Sequence, residues 1–242
     1  DYSFILDKRT ENIVKKRNLK FFKIHSSSIR VNLKFPIYII KIALGVFQSL
    51  LILQKHKPDL VVGFGGYTSI PAILAAKLLK IKVLLHEQNA IMGKTNRLLS
   101  LLTKNVAITF KKTKFSKNNA VHTGLPITEI NPAKKKIGKY KKIFVVGGSQ
   151  GAHVLSIITP KIISYFKTES KKKLIIVQQA RKEDIQKLEN QYRTMKIKFL
   201  VEDFFDDIYS EYYDSDLIIS RCGSSTLAEI EHFKKFSILF PL

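Results

Sequence analysis

An α/β fold made of two parallel-sheet domains is what this sequence predicts, on three observations. Short apolar runs rich in β-branched and aromatic residues alternate with longer helix-periodic segments almost from end to end, the pattern of βαβ units feeding a parallel sheet. The 242 residues are 45% hydrophobic, enough for one large or two ordinary domains with real cores. Between two sets of such runs lies the stretch 131–140, NPAKKKIGKY, which is polar, basic and broken by Pro and Gly, so it reads as a linker. The predicted domains are therefore residues 1–130 and 141–242.

In the first domain, strands are predicted at residues 3–6, 19–24, 60–64, 82–85, 106–109 and 120–123. In the second they are predicted at 142–146, 174–178, 196–201, 217–220 and 237–240. Helices fit between most of them, including one at 70–79. The stretch 35–54, FPIYIIKIALGVFQSLLILQ, invites comparison with a membrane span, but it is barely long enough and carries Lys41, Gln48 and Ser49. A central lysine costs about 2.5–3.5 kcal/mol on insertion scales. We read it as a helix buried in the protein or lying against a membrane surface. Its apolar content exceeds one stripe, so its contact is expected to be wide. No internal repeat or low-complexity tract competes with this organisation.

The chain carries 42 Lys and Arg against 19 Asp and Glu, a formal net charge of +23. Nucleic-acid binding would call for basic residues gathered on one element with interleaved stacking aromatics, or for a recognised module, and neither is found. The lysines recur along the whole chain, with short runs at 134–136 and 171–173. A compositional preference for solvated lysine and attraction to an anionic inner leaflet both account for this, the latter at about 1 kcal/mol for each basic residue near the surface. Cys222 is the single cysteine, which rules out an internal disulfide and fits a reducing compartment. Nothing at the start reads as a signal peptide, so a cytoplasmic protein is expected. Asp1 in place of an initiator Met, and an apolar run ending at Leu242, lead us to expect a fragment.

Four segments carry chemistry. Gly147-Gly148-Ser149-Gln150-Gly151 follows a strand and opens a helix; glycines there let the backbone approach a phosphate, Ser149 adds a hydroxyl and the helix start adds N–H groups. A diphosphate site is the functional reading and a plain tight turn the structural one. A second strand-to-helix turn runs from Ser220 through Arg221, Cys222, Gly223, Ser224, Ser225 and Thr226 to Leu227, Ala228 and Glu229. Its small hydroxyl residues suit phosphate, and Glu229 suits the two vicinal hydroxyls of a ribose. Taken singly, Ser224 and Ser225 are read as N-caps and Glu229 as a dipole partner. In the first domain, Gly65, Gly66 and Tyr67 follow one predicted strand, and His86, Glu87, Gln88 and Asn89 follow another. Ligands bind at the carboxyl ends of strands in open α/β sheets. His86 alone is read as a structural histidine; the polar group together is read as functional.

The segments GFGGYTSIPAILAA, LLHEQNAIMGKTN, VVGGSQGA, VEDFFDDI and RCGSSTLAEI, in this order and spacing, resemble the peptidoglycan-precursor N-acetylglucosaminyltransferases, a family of GT-B enzymes with two Rossmann-like domains. The likeness covers nearly the whole chain. It implies inverting, metal-independent transfer of N-acetylglucosamine from UDP-N-acetylglucosamine to the 4-hydroxyl of the N-acetylmuramoyl unit of lipid I, giving lipid II, without a cofactor. By the same resemblance Ser149 contacts the diphosphate, backbone near Phe205 pairs with the uracil, Ser224, Ser225 and Thr226 with the adjoining Leu227 and Ala228 line the phosphates, Glu229 holds the ribose, and Asn89 reaches the donor sugar. Gly65, Gly66, Tyr67, His86, Glu87 and Gln88 face the acceptor. The helix expected around Met92 to Leu102, with its neighbour at 35–54, offers apolar and basic surface to the cytoplasmic face of the inner membrane, where a peripheral protein is expected.

The sequence also departs from the family. The first strand and the Gly-rich loop bearing the family's candidate base have no counterpart, so no catalytic base is assigned; His86 is kept for a supporting role. The segment after Leu242 that grips the donor hydroxyls is likewise absent, so both domains are expected to be incomplete and turnover weak. Thr128 stands where an Arg contacts the diphosphate, a loss of about 1.5–3 kcal/mol. His153 stands where Arg is common, and Cys222 where Ser is. Asp214-Ser215-Asp216 looks like the metal signature of the other large glycosyltransferase class, but it sits away from the Gly-rich turns and is read as a solvated turn. Alternatives are a non-catalytic UDP-sugar-binding protein and a GT-B enzyme using another nucleotide sugar.

Overall fold

The computed structural model describes residues 2–16, 18–28, 35–127, 141–147, 152–169 and 173–241. Two compact units divide the chain, residues 1–125 and 126–242. The expected linker, Thr128, and the turn from Gly148 to Gly151 with Ser149 lie outside the described residues.

The first unit runs β1 (Phe4–Leu6), α1 (Glu11–Lys16), β2 (Phe21–Lys23), α2 (Phe35–His56), β3 (Leu60–Gly63), α3 (Ser69–Leu78), β4 (Lys82–Glu87), α4 (Lys94–Leu99), β5 (Val106–Ile108) and β6 (Val121–His122). Strands β1 and β2 pair in parallel, and β3, β4, β5 and β6 form a parallel sheet in sequence order. Its core gathers Ile73, Ala75 and Ala76 of α3 with Val83, Leu85, Val106 and Ile108 of the sheet, closed by Leu53, Met92 and Leu99. Strand β4 continues two residues past the predicted end, so His86 and Glu87 belong to the strand itself.

Helix α2 differs from expectation in how it packs. Ile42, Gly45, Ser49 and Leu53, spaced three or four apart, are its buried row. A Cβ on Gly45 would stand 1.9 Å from the carbonyl oxygen of His25, so only glycine permits the close approach. The contact is one narrow stripe rather than a wide one, and Ile37, Ile40, Leu44, Phe47 and Leu51 stay exposed. Of the helix expected at 92–102, only Lys94–Leu99 is helical. Met92 and Leu99 are core residues, so the exposed apolar surface there is confined to Leu98, Leu101 and Leu102.

The second unit runs β7 (Lys141–Val146), α5 (His153–Glu169), β8 (Leu174–Gln179), α6 (Lys182–Thr194), β9 (Lys198–Glu202), α7 (Ile208–Asp214), β10 (Leu217–Arg221), α8 (Ser224–His232) and β11 (Phe236–Phe240). The all-parallel sheet has the order β11-β10-β7-β8-β9. Successive side chains of β7 point to opposite faces. Ile143 and Val145 join Leu155, Ile163, Leu188 and Tyr192 on one side, while Phe144 and Val146 join Tyr212 and Ile230 on the other. Both faces are covered, as a parallel sheet requires.

Three helices end the same way. Lys80, Lys196 and Lys234 follow the last turns of α3, α6 and α8 with φ of 58°, 51° and 52°, a left-handed conformation that glycine usually supplies. The next residue closes each turn, as in Ile81 N–H to the Ala76 carbonyl at 2.9 Å. A Cβ in this region is strained, so Lys80→Gly should raise stability by up to about 1 kcal/mol, read from the midpoint of urea unfolding. An unchanged or lowered midpoint would show that the lysine carries a compensating contact.

Candidate functional site

In the second unit the strand order changes direction between β7 and β10, and the crevice beyond the carboxyl ends at such a point is where doubly wound sheets bind ligands. The register pairs Ser220 with Val146, which sets the turn after Arg221 beside the end of β7, where the Gly-rich segment begins. Helix α8 then starts at Ser224 with Gly223 as N-cap (φ −77°, ψ 143°) and no side-chain cap bond. The N-cap reading of Ser224 and Ser225 is thus corrected: both stand inside the first turn. Main-chain N–H groups at an uncapped first turn, with the helix dipole behind them, suit an anion.

Thr226 is buried in that first turn, Ser225 exposed, and Ser224, Leu227, Ala228 and Glu229 half-buried. Burial pushes the Glu229 carboxyl above its ordinary value, and the Tyr212 hydroxyl partly offsets this. Tyr212 is fully buried in the core beneath. Desolvation and the neighbouring Glu229 carboxylate push its phenol upward, so it remains a neutral donor. Its hydroxyl makes no well-formed hydrogen bond among the described residues, although Glu229 and Thr226 are within electrostatic reach. Sequence reading missed Tyr212, because one aromatic on a core-facing helix carries no sign of its polar end. Phe205 is half-buried, its ring edge-on to Phe144 at 5.8 Å; the side chain is part of the core, leaving only backbone for recognition.

Asp214-Ser215-Asp216 is anchored rather than solvated. Ser215 is fully buried and donates to the Tyr212 carbonyl, while Asp216 accepts from the Lys142 N–H at 3.0 Å and pairs with the Lys141 ammonium at 3.3 Å. These bonds tie β10 to the start of β7. His153, at the start of α5, directs Nδ1 at the Asp184 carboxylate at 2.9 Å.

In the first unit, the polar residues at the end of β4 form one network. Glu87, expected to face the acceptor, is 2% exposed and turned into its own loop. Its Oε1 accepts from the N–H and Nδ2 of Asn89 at 2.9 and 3.0 Å, and its Oε2 from the Gly93 N–H and Asn96 Nδ2 at 3.0 and 2.9 Å. Four donors on one buried carboxylate make it a staple that holds the loop from 87 to 96. Asn96 also donates to the His86 carbonyl. It sits 3.0 Å from where a Cβ on Gly65 would be, and Gly65 has φ of +80°, so this loop and the one after β3 are fitted to each other. Asn96 was not singled out from sequence; its place seven residues after Asn89 was the only signal.

His86 is buried, with Nε2 2.9 Å from the Gly124 carbonyl and Nδ1 3.4 Å from Gln88 Nε2. A carbonyl only accepts, so Nε2 carries the proton and Nδ1 faces the Gln88 amide. Both ring nitrogens are engaged, which fits the structural reading of this residue. Asn89 is exposed, as is Gly66, and Tyr67 is half-buried. No group of three or more His, Cys, Asp or Glu side chains that could hold a metal ion occurs among the described residues.

Comparison with known proteins places this geometry. Residues 4–108 match the glycosyltransferase family 28 N-terminal domain, and residues 142–242 match its C-terminal domain. A UDP-N-acetylglucosamine--N-acetylmuramyl-(pentapeptide) pyrophosphoryl-undecaprenol N-acetylglucosamine transferase of Rickettsia canadensis is 32% identical over 99% of this chain and 70% of its own length. A Wolbachia protein of the same description is 34% identical over 86% of this chain and 60% of its own length. The chain thus spans about three fifths to seven tenths of these relatives. The crystal structure of Acinetobacter baumannii MurG superposes with a TM-score of 0.73 at 30% identity, covering 99% of this chain and 68% of that one. A UDP-GlcNAc 2-epimerase from Methanocaldococcus jannaschii, TM-score 0.62 at 12% identity, shares the fold.

The raised Glu229 carboxyl makes stability depend on pH in a definite sense. It is favoured protonated in the folded chain, so its contribution is full below its ordinary value of 4.5 and is lost as pH rises through the higher folded value. Glu229→Gln removes that loss. Thermal melts from pH 4 to 8 should therefore show the variant gaining on the parent as pH rises. Parallel curves would show that Glu229 is not desolvated.

Proposed function

The chain belongs to glycosyltransferase family 28, and from that premise we propose that it transfers N-acetylglucosamine from UDP-N-acetylglucosamine to the 4-hydroxyl of the N-acetylmuramoyl unit of lipid I, yielding lipid II for the cell wall. The observation that carries this reading is the uncapped first turn of α8 at the β7–β10 switch point with Glu229 one turn on. It is the arrangement that a nucleoside diphosphate needs.

In this reading the N–H groups of Ser225 and Thr226 meet the diphosphate and Glu229 accepts from the two ribose hydroxyls. Backbone near Phe205 reads the uracil, and Ser149 adds its hydroxyl. Departure of UDP leaves positive charge on the sugar and negative charge on the diphosphate. Preorganised N–H groups stabilise the latter where it develops. Asn89, held at its N–H and its Nδ2 by Glu87, stands at the exposed edge of the network at the end of β4, and the loop from Gly65 to Tyr67 with Gln88 presents the acceptor. His86 shapes that surface by gripping the Gly124 carbonyl, and Glu87 acts from beneath it. The proton of the attacking hydroxyl passes to a base not assigned among the described residues.

The acceptor's lipid tail calls for a membrane, and the exposed row Ile37, Ile40, Leu44, Phe47 and Leu51 of α2 supplies an apolar face, with Lys41 exposed beside it. We place the chain peripherally on the anionic cytoplasmic face, with the excess of basic charge favouring that surface. Nucleic acid has no part in this reading.

Calorimetric titration tests the donor half. UDP-N-acetylglucosamine should bind more tightly than UDP-glucose, and Glu229→Gln should weaken it by roughly tenfold to a hundredfold, the loss of charge-assisted hydrogen bonds. A folded chain that binds neither nucleotide sugar would sink the reading. Sedimentation with phosphatidylglycerol vesicles tests the membrane face. Ile40→Ser with Phe47→Ser should cut binding by at least about tenfold, each side chain being worth roughly 1.5–3 kcal/mol when buried. The melting temperature should hold, since neither packs in the core; unchanged vesicle binding would place the contact elsewhere.

A further inference from the structure

The turn after β1 carries a group that neither the fold nor the donor chemistry uses. Arg9 lies with its guanidinium carbon over the Tyr67 ring, 4.1 Å from the centroid, close enough for a cation–π contact. Its Nε donates to Asp7 Oδ2 at 2.9 Å and its backbone N–H to Asp7 Oδ1 at 3.1 Å. Asp7 is largely buried and takes a further hydrogen bond from the Ser26 hydroxyl at 3.1 Å. Three loops therefore meet here, those after β1, β2 and β3, all at the carboxyl ends of their strands, where α/β folds place ligands.

The guanidinium is held on one edge and one face. Its two terminal nitrogens have no partner among the described residues, and the side chain is 59% exposed. An arginine fixed by stacking and by a carboxylate at Nε keeps a planar pair of donors aimed with little entropy left to lose, the form in which arginine recognises phosphate. The loop beneath adds donors of its own. Gly65 and Gly66 take φ of +80° and +71°, and among the described residues the main-chain N–H groups from Gly65 to Thr68 donate to nothing. Lys8, next to Arg9, makes no ion pair among the described residues either. The Asp7 charge is shared among three donors, so it holds Arg9 without saturating its fork.

We propose that Arg9, stacked on Tyr67 and braced by Asp7, is the seat for the diphosphate of a prenyl-diphosphate-linked acceptor, with the N–H groups of the Gly65–Gly66 loop completing it. This rests on the acceptor reading above and gives it a charged contact that the polar residues at the end of β4 do not supply. Arg9 binds and orients; it takes no proton. A cation–π staple between two loops is the competing role. Such a staple would hold the loops together but be indifferent to which anion is present.

Calorimetry on the whole chain separates these. Geranyl diphosphate is the probe, with geranyl monophosphate, phosphatidylglycerol vesicles and UDP as the other arms, and thermal melts check folding. Geranyl diphosphate should bind better than the monophosphate. Arg9→Gln should weaken the diphosphate by about tenfold to a hundredfold, the range of a charge-assisted contact, and leave UDP unchanged. Arg9→Lys should recover only part, because an ammonium cannot offer the paired donors. Equal binding of geranyl diphosphate by parent and Arg9→Gln, or none by the folded parent, overturns the proposal. So does an equal loss on vesicles, which would make Arg9 a general membrane cation. Failure of UDP and UDP-N-acetylglucosamine to bind the parent is a separate result, and it counts against the donor reading rather than against Arg9.

Discussion

Parallel pairing governs where everything else in this protein can be. A parallel strand cannot turn back into its neighbour; it must return over the face of the sheet, so the carboxyl ends of all strands emerge along one edge. In the second unit that edge gathers the ends of β7 and β10, joined in register from Leu217 with Ile143 to Ser220 with Val146. In the first it gathers the loops after β1, β3 and β4. Moving a strand by one residue would exchange the two faces of β7 and bring Phe144 into the layer now filled by Ile143. Core packing thus sets the register, and the register sets which loops become neighbours.

Much of this was legible in the sequence. All eleven predicted strands are present, because buried parallel strands are near-continuous apolar runs with clear polar boundaries. The α/β class and the family likewise follow from alternation and from the order of the Gly-rich turns. What was not legible has a common cause. The direction in which a polar side chain points is decided by tertiary contacts. Glu87 and Glu229 look alike in sequence, each at the carboxyl side of a strand within a polar cluster. One is turned inward onto four donors and the other stands half-buried with its carboxyl pushed upward. The wide contact expected of α2 failed for a related reason: composition tells how apolar a helix is, and not how much of it the protein covers.

The lysine content can be followed to particular positions. Lysines occupy the left-handed position after four helices, Lys57 after α2 included, where glycine would be less strained, and others start strands of both sheets at Lys82, Lys141 and Lys198. Such use at strained positions argues that part of the excess charge is compositional. The proposed membrane contact and anion seat draw on the rest, beside the exposed face of α2 at Lys41 and at the turn bearing Lys8 and Arg9.

Satisfaction of polar groups separates scaffold from site. Glu87, His86 and Asp216 have their polar atoms engaged within the protein, and the Asn96 amide nitrogen is shared between the Glu87 carboxylate and the His86 carbonyl, so these groups tie loops and strands together. Arg9 and the N–H groups from Gly65 to Thr68 keep donors unengaged among the described residues, and the first turn of α8 has no side-chain cap. Those donors share a character: they suit an anion and are held by neighbours whose own bonds are complete. A protein that must bring together a nucleoside diphosphate and a diphosphate-linked lipid needs two such places. In the proposed function the two units, each with its own sheet and its own carboxyl edge, offer one apiece.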